Sequence, residues 1–254
     1  MSGRGWPLLL DELSLVKGVN LSKADTKSRA FESVYYLGGP DDLRLSDLDG
    51  CVVVFNDAPE KKFESSMTGA SEANKTSTAT GTCDEVIDEG CLYNITQRVD
   101  RLMGNHSSNF CQVIEHELKK NDFQGCSGFG GHGETLGNFS IKSLKDLQPV
   151  KNSSDCWPVF DKSDQLFKIG SDISYGGLSE DAFLQEFYKI SPILTIFENK
   201  NHTKKTTDMT CLKVVVDDYQ SSSSDEDNAE NSAAKLEANW SILTIFAFLM
   251  AYGL

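Results

Sequence analysis

Residues 43–55 read LRLSDLDGCVVVF, and this stretch has a clear strand pattern. Hydrophobic and polar residues alternate from Leu43 to Leu48, and the run Cys51–Phe55 is apolar throughout. Between them stands Asp49-Gly50, a dipeptide that often forms turns. The stretch therefore predicts two strands joined by a turn, the second of them buried on both faces.

A helical hairpin is predicted after these strands, beyond residues 64–82, which have the Ser- and Thr-rich composition of an exposed loop. Apolar residues recur at the helical period from Cys83 to Met103. They do so again from Asn109 to Lys120, where His116 falls on the core-facing side. Residues 104–108, GNHSS, supply a turn and a serine cap between the two helices.

The region that follows combines strands with one helix. Leu166–Ile173, Ile193–Glu198 and Cys211–Val216 have strand patterns, and Ser179 is placed to cap a helix that runs to about Ile190. This order of elements indicates an α+β fold, a disulfide-stabilised sandwich of a small sheet with the helical hairpin.

Composition divides the chain into four parts. Residues 1–36 form an N-terminal segment that precedes the core, residues 37–217 a globular ectodomain, and residues 218–231 an acidic, serine-rich linker. The chain begins MSGRGWPLLLDE, whose apolar run is shorter than the ~7–15 residues of a signal-peptide core. We therefore expect the signal peptide of this protein to be missing from the N-terminus.

Residues 232–254 have the organisation of a glycosylphosphatidylinositol (GPI) attachment signal, which is removed from the mature protein. Asn231 begins a triplet of small residues, a short polar spacer follows, and the last fifteen residues, WSILTIFAFLMAYGL, carry no charge. A membrane-spanning helix usually takes ~20 apolar residues, so this tail is short for that purpose. The sequence predicts lipid attachment at Asn231, and the alternatives are a buried C-terminal helix or an intracellular tail-anchored protein.

The chain contains eight Asn-x-Ser/Thr sequons, several times the number that its composition gives by chance. The excess favours a glycosylated secretory protein, with Asn239 lost together with the attachment signal. The predicted glycosylation sites are Asn20, Asn74, Asn94, Asn105, Asn138, Asn152 and Asn201.

Cysteines are numerous and indicate disulfides formed in an oxidising compartment. Antiparallel helices in the predicted hairpin place Cys91 far along the helix from Cys111, so a Cys91–Cys126 bond fits more easily. A zinc site is disfavoured, because the sequence has no Cys-x2-Cys pair and its four His are not at ligand spacings. The seven disulfide candidates, an odd number that leaves one cysteine over, are Cys51, Cys83, Cys91, Cys111, Cys126, Cys156 and Cys211.

Motifs for catalysis or cofactor binding are weak. Gly128–Gly133 matches the glycine pattern of dinucleotide sites, but it follows a helix and a cysteine instead of a buried strand. Gly125-Cys-Ser127-Gly-Phe129 lacks the last glycine of a serine-hydrolase elbow. The sequence therefore predicts no cofactor, no metal ligand and no catalytic residue.

Several segments resemble a family of fungal secreted proteins, and the resemblance spans roughly residues 37–217 with the cysteines as landmarks. It implies a signal peptide and, often, a C-terminal GPI anchor, and it implies no activity. The segments are LGGPDDLRLSDLDGCVVVF (37–55), GTCDEVIDEGC (81–91), SSDCWPVF (153–160), SPILTIFE (191–198) and TCLKVV (210–215).

The leading functional hypothesis is a GPI-anchored extracellular glycoprotein of the fungal cell surface or wall with a structural, adhesive or interaction role. Its partners would be the membrane, through the anchor, and cell-wall glycans or surface proteins. The net charge of −14 argues against nucleic acid. The alternative is a surface-tethered carbohydrate-active hydrolase with paired carboxylates, for which Asp47, Asp49, Asp57 and Glu198 are candidates and Trp157 is a sugar-stacking residue.

Overall fold

Two antiparallel sheets and three helices make up the described part of the chain. The structure, a computed structural model, describes residues 13–23, 25, 27–40, 43–45, 48–58, 82–103, 109–129, 133–150, 165–199 and 205–214. The strands are β1 (Ser14–Lys23), β2 (Ser28–Gly39), β3 (Leu48–Phe55), β4 (Phe139–Ser143), β5 (Gln165–Gly177), β6 (Ser191–Asn199) and β7 (Lys205–Leu212). The helices are α1 (Glu89–Leu102), α2 (Phe110–Leu118) and α3 (Glu180–Phe187). Sheet A has the order β1-β2-β5, and sheet B has the order β4-β3-β6-β7. The predicted α+β class is confirmed.

Strand β3 lies between two hydrophobic clusters, as its apolar run predicts. Cys51, Val53 and Phe55 face the helices and belong to the larger cluster. Val52 and Val54 face sheet A and belong to the smaller one, which fills the space between the sheets. The described residues therefore form three layers: sheet A, sheet B, and the α1–α2 hairpin.

The predicted turn at Asp49-Gly50 is wrong, because both residues lie within β3 and pair with β6. Gly50 is required by packing instead. A Cβ at this position would overlap the backbone carbonyl of Ile196 and would lie 2.9 Å from a methyl of Leu144. The neighbouring strand thus approaches too closely for any side chain.

The N-terminal segment also differs from expectation, since β1 and most of β2 lie within residues 1–36. Polar residues interrupt the inward-facing side of these strands, and they obscure the alternation of apolar and polar residues in the sequence. β7 begins earlier than predicted, at Lys205, and ends at Leu212. The strands predicted at Leu166–Ile173 and Ile193–Glu198 agree with β5 and β6, whereas the strand predicted from Leu43 to Leu48 is wrong, because residues 43–45 are not in a strand. Ser179 caps α3 by accepting a 3.2 Å hydrogen bond from the Ala182 amide.

The predicted helical hairpin is present, with its first helix shortened. Cys83–Glu85 is a 3₁₀ turn, and α1 starts only after Asp88, whose carboxylate accepts a 2.8 Å bond from the Gly90 amide. Arg98 in α1 forms an ion pair with Glu117 in α2 at 3.5 Å, which links the two helices, and a second ion pair with Asp122 at 2.6 Å. Ile114 and Leu118 bury the inner face of α2. His116 is exposed, so its predicted core-facing position is wrong.

Three disulfides tie the layers together. Cys51–Cys111 joins β3 to α2, Cys83–Cys211 joins the 3₁₀ turn to β7, and Cys91–Cys126 joins α1 to the loop after α2. The preference for Cys91–Cys126 over Cys91–Cys111 is confirmed. They close sequence separations of 60, 128 and 35 residues, so each constrains the unfolded chain considerably.

Substitution Gly50→Ala should lower the free energy of unfolding by about 1–3 kcal/mol, because the added methyl overlaps a strand backbone that cannot move freely. Gly18→Ala in β1 is the matched control, since a Cβ there meets no atom within 4 Å. Denaturant titration measures both. Equal stability of the two variants would contradict the close approach at Gly50.

Because six of the seven cysteines pair with one another, Cys156, outside the described residues, should carry the only thiol or the only intermolecular bond. We expect alkylation of the unfolded, unreduced protein to label no other cysteine. Peptide mapping checks this, and reduction before alkylation should expose all seven. A peptide that joins Cys156 to any of the other six would refute the pairing.

Candidate functional site

Polar side chains cross the interior of the fold where the two hydrophobic clusters meet. On the inner face of β1, Leu15 packs on the smaller cluster and Val19 on the larger one, with Lys17 between them. On β2, Ser33 likewise separates Phe31 of the larger cluster from Tyr35 of the smaller. We call this set the polar belt; its members are Lys17, Ser33, Tyr35, Asp172, Ser174, Glu186, Lys189 and Ser191.

Lys17 is the centre of the belt. It pairs with Tyr35 across β1 and β2, and its ammonium donates to the Lys189 carbonyl at 2.5 Å and to Ser191 Oγ at 3.0 Å. The Tyr35 hydroxyl donates to the same Ser191 oxygen at 2.9 Å. One serine thus accepts from a lysine and a tyrosine in the space between the sheets.

The surroundings weaken the hold of Lys17 on its proton. Burial, together with the smaller effect of the nearby charge of Lys189, lowers the pKa of Lys17 to about 7. Asp172 and Glu186 oppose this shift. Burial also raises the pKa of the Tyr35 hydroxyl, in spite of its hydrogen bonds with Ser191 and Ser33. Near neutral pH the belt therefore contains a lysine that gains and loses its proton.

An amine of near-neutral pKa beside a serine hydroxyl is the arrangement that makes a serine nucleophilic. A neutral Lys17 has a lone pair that is able to accept the Ser191 proton. Ser191, however, is only 3% exposed, and it lines neither of two cavities found among the described residues. The geometry therefore supports a proton-linked structural element more directly than it supports a site for substrate.

The two cavities lie elsewhere on the molecule. One, of about 400 Å³, is bounded by the start of α1 and the loop at Gly125–Phe129. The other, of about 380 Å³, opens between β1 and β7 at the margin of the two sheets, where Leu15, Phe197 and Asp208 line it. Each contains a single carboxylate, Asp88 in the first and Asp208 in the second.

Gly125–Phe129, which includes the weak serine motif and the start of the glycine motif, lines the first cavity, whereas residues 130–132 of the glycine motif lie outside the described residues. Ser127 and Gly128 are exposed in the loop that carries the Cys91–Cys126 disulfide, and Phe129 anchors this loop by packing edge-on against Phe55 at 5.5 Å. The loop follows helix α2 and does not connect a strand to a helix. A dinucleotide site and a nucleophile elbow both need a loop that leads from a strand into a helix, so this loop has the opposite order.

The candidate carboxylates of a hydrolase are only partly brought together. Asp49 and Glu198 occupy opposite positions across β3 and β6. Asp49 forms an ion pair with Lys145, Glu198 is 5% exposed, and neither lines one of the two cavities. Asp57 lies in the turn after β3, where it accepts a 2.8 Å bond from the Asn138 amide. Asp47 and Trp157 lie outside the described residues.

Three predicted glycosylation sites lie within the described residues. Asn20 is exposed in β1, and Asn138 is exposed just before β4. Asn94 lies in α1, where its side-chain nitrogen donates to the Gln124 carbonyl at 2.6 Å. Those outside the described residues are Asn74, Asn105, Asn152 and Asn201, together with the predicted lipid-attachment residue Asn231 and all of residues 215–254.

The described residues contain neither a metal-binding cluster nor a membrane-spanning helix. No group of three or more His, Cys, Asp or Glu in these ranges is arranged to hold a metal ion. Within the same ranges, no helix has both the length and the apolarity to cross a membrane. Comparisons with protein-family models, with curated proteins and with solved structures give no match to this chain.

The sequence did not predict the polar belt, although the residue pattern of β1 shows part of it. Leu15, Val19 and Leu21 alternate on one face, and the charged Lys17 stands among them. A lysine in such a place usually indicates an exposed strand face. Its burial follows from sheet B and α3, which contribute Ser191 and Glu186 from more than 160 residues away in the chain.

The pKa of Lys17 predicts how stability depends on pH. Between pH 7 and the ordinary lysine value of 10.5, the unfolded chain binds a proton that the folded protein has released. The free energy of unfolding should therefore rise with pH in this window, by about 2 kcal/mol from pH 7 to 9. Well below pH 7 the amine is protonated in both states, so Lys17 should add no further pH dependence.

Lys17→Met should remove this rise, because the variant has no amine to titrate. Lys168→Met is the matched control, since Lys168 lies exposed on β5. Urea titrations at pH 6, 7, 8 and 9 measure the three proteins. If the curves of wild type and Lys17→Met stay parallel across this range, Lys17 does not titrate near neutral pH.

Proposed function

We propose that this chain is the ectodomain of a GPI-anchored glycoprotein on the outer surface or in the wall of a fungal cell. Its role is structural, adhesive or interaction-based. The observation that carries the proposal is the set of three disulfides, which fasten the helical side of the fold to sheet B and within itself and involve six of the seven cysteines. Bonds of this kind form and persist in oxidising compartments and on cell surfaces.

The positions of two sequons support the same proposal. Asn20 and Asn138 are both exposed, so each is able to carry a glycan in the folded protein without disturbing a hydrophobic cluster. Neither side chain belongs to the polar belt. Glycosylation is a surface modification of secreted proteins, and these positions suit it.

The proposed role in interactions follows from the surface of sheet A. Ile173 and Tyr175 lie on β5 with 55% and 67% of their surface exposed, and Leu178 follows at 47%. Exposed apolar residues that cluster in this way often mark a contact surface. Cell-wall glycans and other surface proteins are the partners that fit an anchored ectodomain.

Treatment of intact cells with phosphatidylinositol-specific phospholipase should release a glycosidase-sensitive form of this protein into the medium. The reason is that cleavage of the lipid leaves the anchored ectodomain without a membrane attachment. As the matched control, a chain that lacks residues 240–254 should enter the medium without phospholipase, because the attachment signal is incomplete. An unglycosylated protein that stays with the cells after treatment would contradict the proposal.

A further inference from the structure

The outer face of sheet A is open to solvent. Its inner face packs on sheet B and α3, whereas no described element covers the other side. Five large hydrophobic side chains are exposed among the described residues, and three of them fall within six positions at the end of β5: Ile173, Tyr175 and Leu178. Ile173 and Tyr175 stand on this outer face, where a covering group would remove their apolar surface from water.

The register of the strands relates a sequon to this cluster. Asn20 in β1 pairs with Glu32 in β2, and Glu32 pairs with Ile173 in β5. One step along, Ser22 pairs with Ala30, which pairs with Tyr175. Because directly paired residues point to the same face, the Asn and the Ser of one sequon begin two rows that end at exposed apolar side chains.

Small residues lie close to the sequon. Ala30 stands between Ser22 and Tyr175 in one row, and Gly18 lies beside Asn20 on β1, where an added Cβ would meet nothing within 4 Å. From β1 to β5 the distance is two strand spacings, ~10 Å in total. This span suits the first two pyranose rings of an N-linked glycan.

We propose that an N-linked glycan on Asn20 lies across the outer face of sheet A and covers Ile173 and Tyr175. The inference rests on the proposed function, since it requires passage through the secretory pathway. Transfer joins Asn20 Nδ2 to C1 of the first sugar, releases the lipid pyrophosphate that carried the oligosaccharide, and frees one amide proton.

The chemistry of the face fits this occupant. The C–H face of a pyranose ring packs on the apolar body of Tyr175, while Glu32 and Ser171, also on the outer face, are able to hydrogen-bond sugar hydroxyls. The glycan also lies at the edge strand β1, where it hinders pairing with another chain.

The test uses the full-length protein, made in a eukaryotic host behind a supplied signal peptide and purified from cells and medium. Ser22→Ala removes the sequon and keeps Asn20, and Asn138→Gln is the matched control that removes a glycan elsewhere. Hydroxyl-radical footprinting, read by mass spectrometry, reports the accessibility of Tyr175. Tyr175 should be several-fold more reactive in Ser22→Ala than in wild type, and unchanged in Asn138→Gln.

Each other outcome has a defined meaning. Equal reactivity of Tyr175 in wild type and Ser22→Ala, with Asn20 glycosylated, would overturn the inference. An unmodified Asn20 beside a glycosylated Asn138 would overturn it and leave the proposed function intact, whereas a complete lack of glycosylation would overturn both. Protection of Tyr175 that rises with protein concentration in both proteins would assign the face to a second copy.

Discussion

Burial of β3 on both faces is the constraint on which the rest of the fold depends. Its alternate side chains enter two different hydrophobic clusters, so sheet A must cover one face and the helical hairpin the other. At Gly50 the backbone of β6 lies so close that it leaves no space for a side chain. The Cys51–Cys111 bond then fixes α2 to the same strand. Three layers follow from one strand.

The polar belt divides the interior that these layers enclose. Lys17, Tyr35 and Ser191 come from three strands of both sheets, and each is hydrogen-bonded to another member of the belt. A buried lysine destabilises the fold unless its donors are paired, so the belt adds little net stability. What it adds is a fixed alignment of the two sheets, because only one relative position satisfies all of these hydrogen bonds. The titration of Lys17 near neutral pH makes the stability of the fold depend on pH.

The two outer surfaces of the molecule differ in character. The helical side is fastened by all three disulfides and by Arg98, which bonds to Asp122 and stacks 4.2 Å from the Phe123 ring. Sheet A contains no cysteine among the described residues, and it keeps exposed apolar side chains on its open face. The described part of the molecule therefore has one cross-linked side and one open side that suits the proposed glycan cover. The proposed role at the cell surface uses this asymmetry.

The sequence alone determined the features that depend on local periodicity. The apolar run of β3, the faces of α1 and α2, the serine cap of α3 and the preference for Cys91–Cys126 are all readable from residues close together in the chain. Only the tertiary structure decided that Gly50 belongs to a strand and that Lys17 is buried. These depend on Ile196 and Ser191, residues more than 140 positions away, whose approach leaves no trace in local sequence. The same holds for the open face of sheet A, since strand pairing across long separations places Asn20 in one row with Ile173.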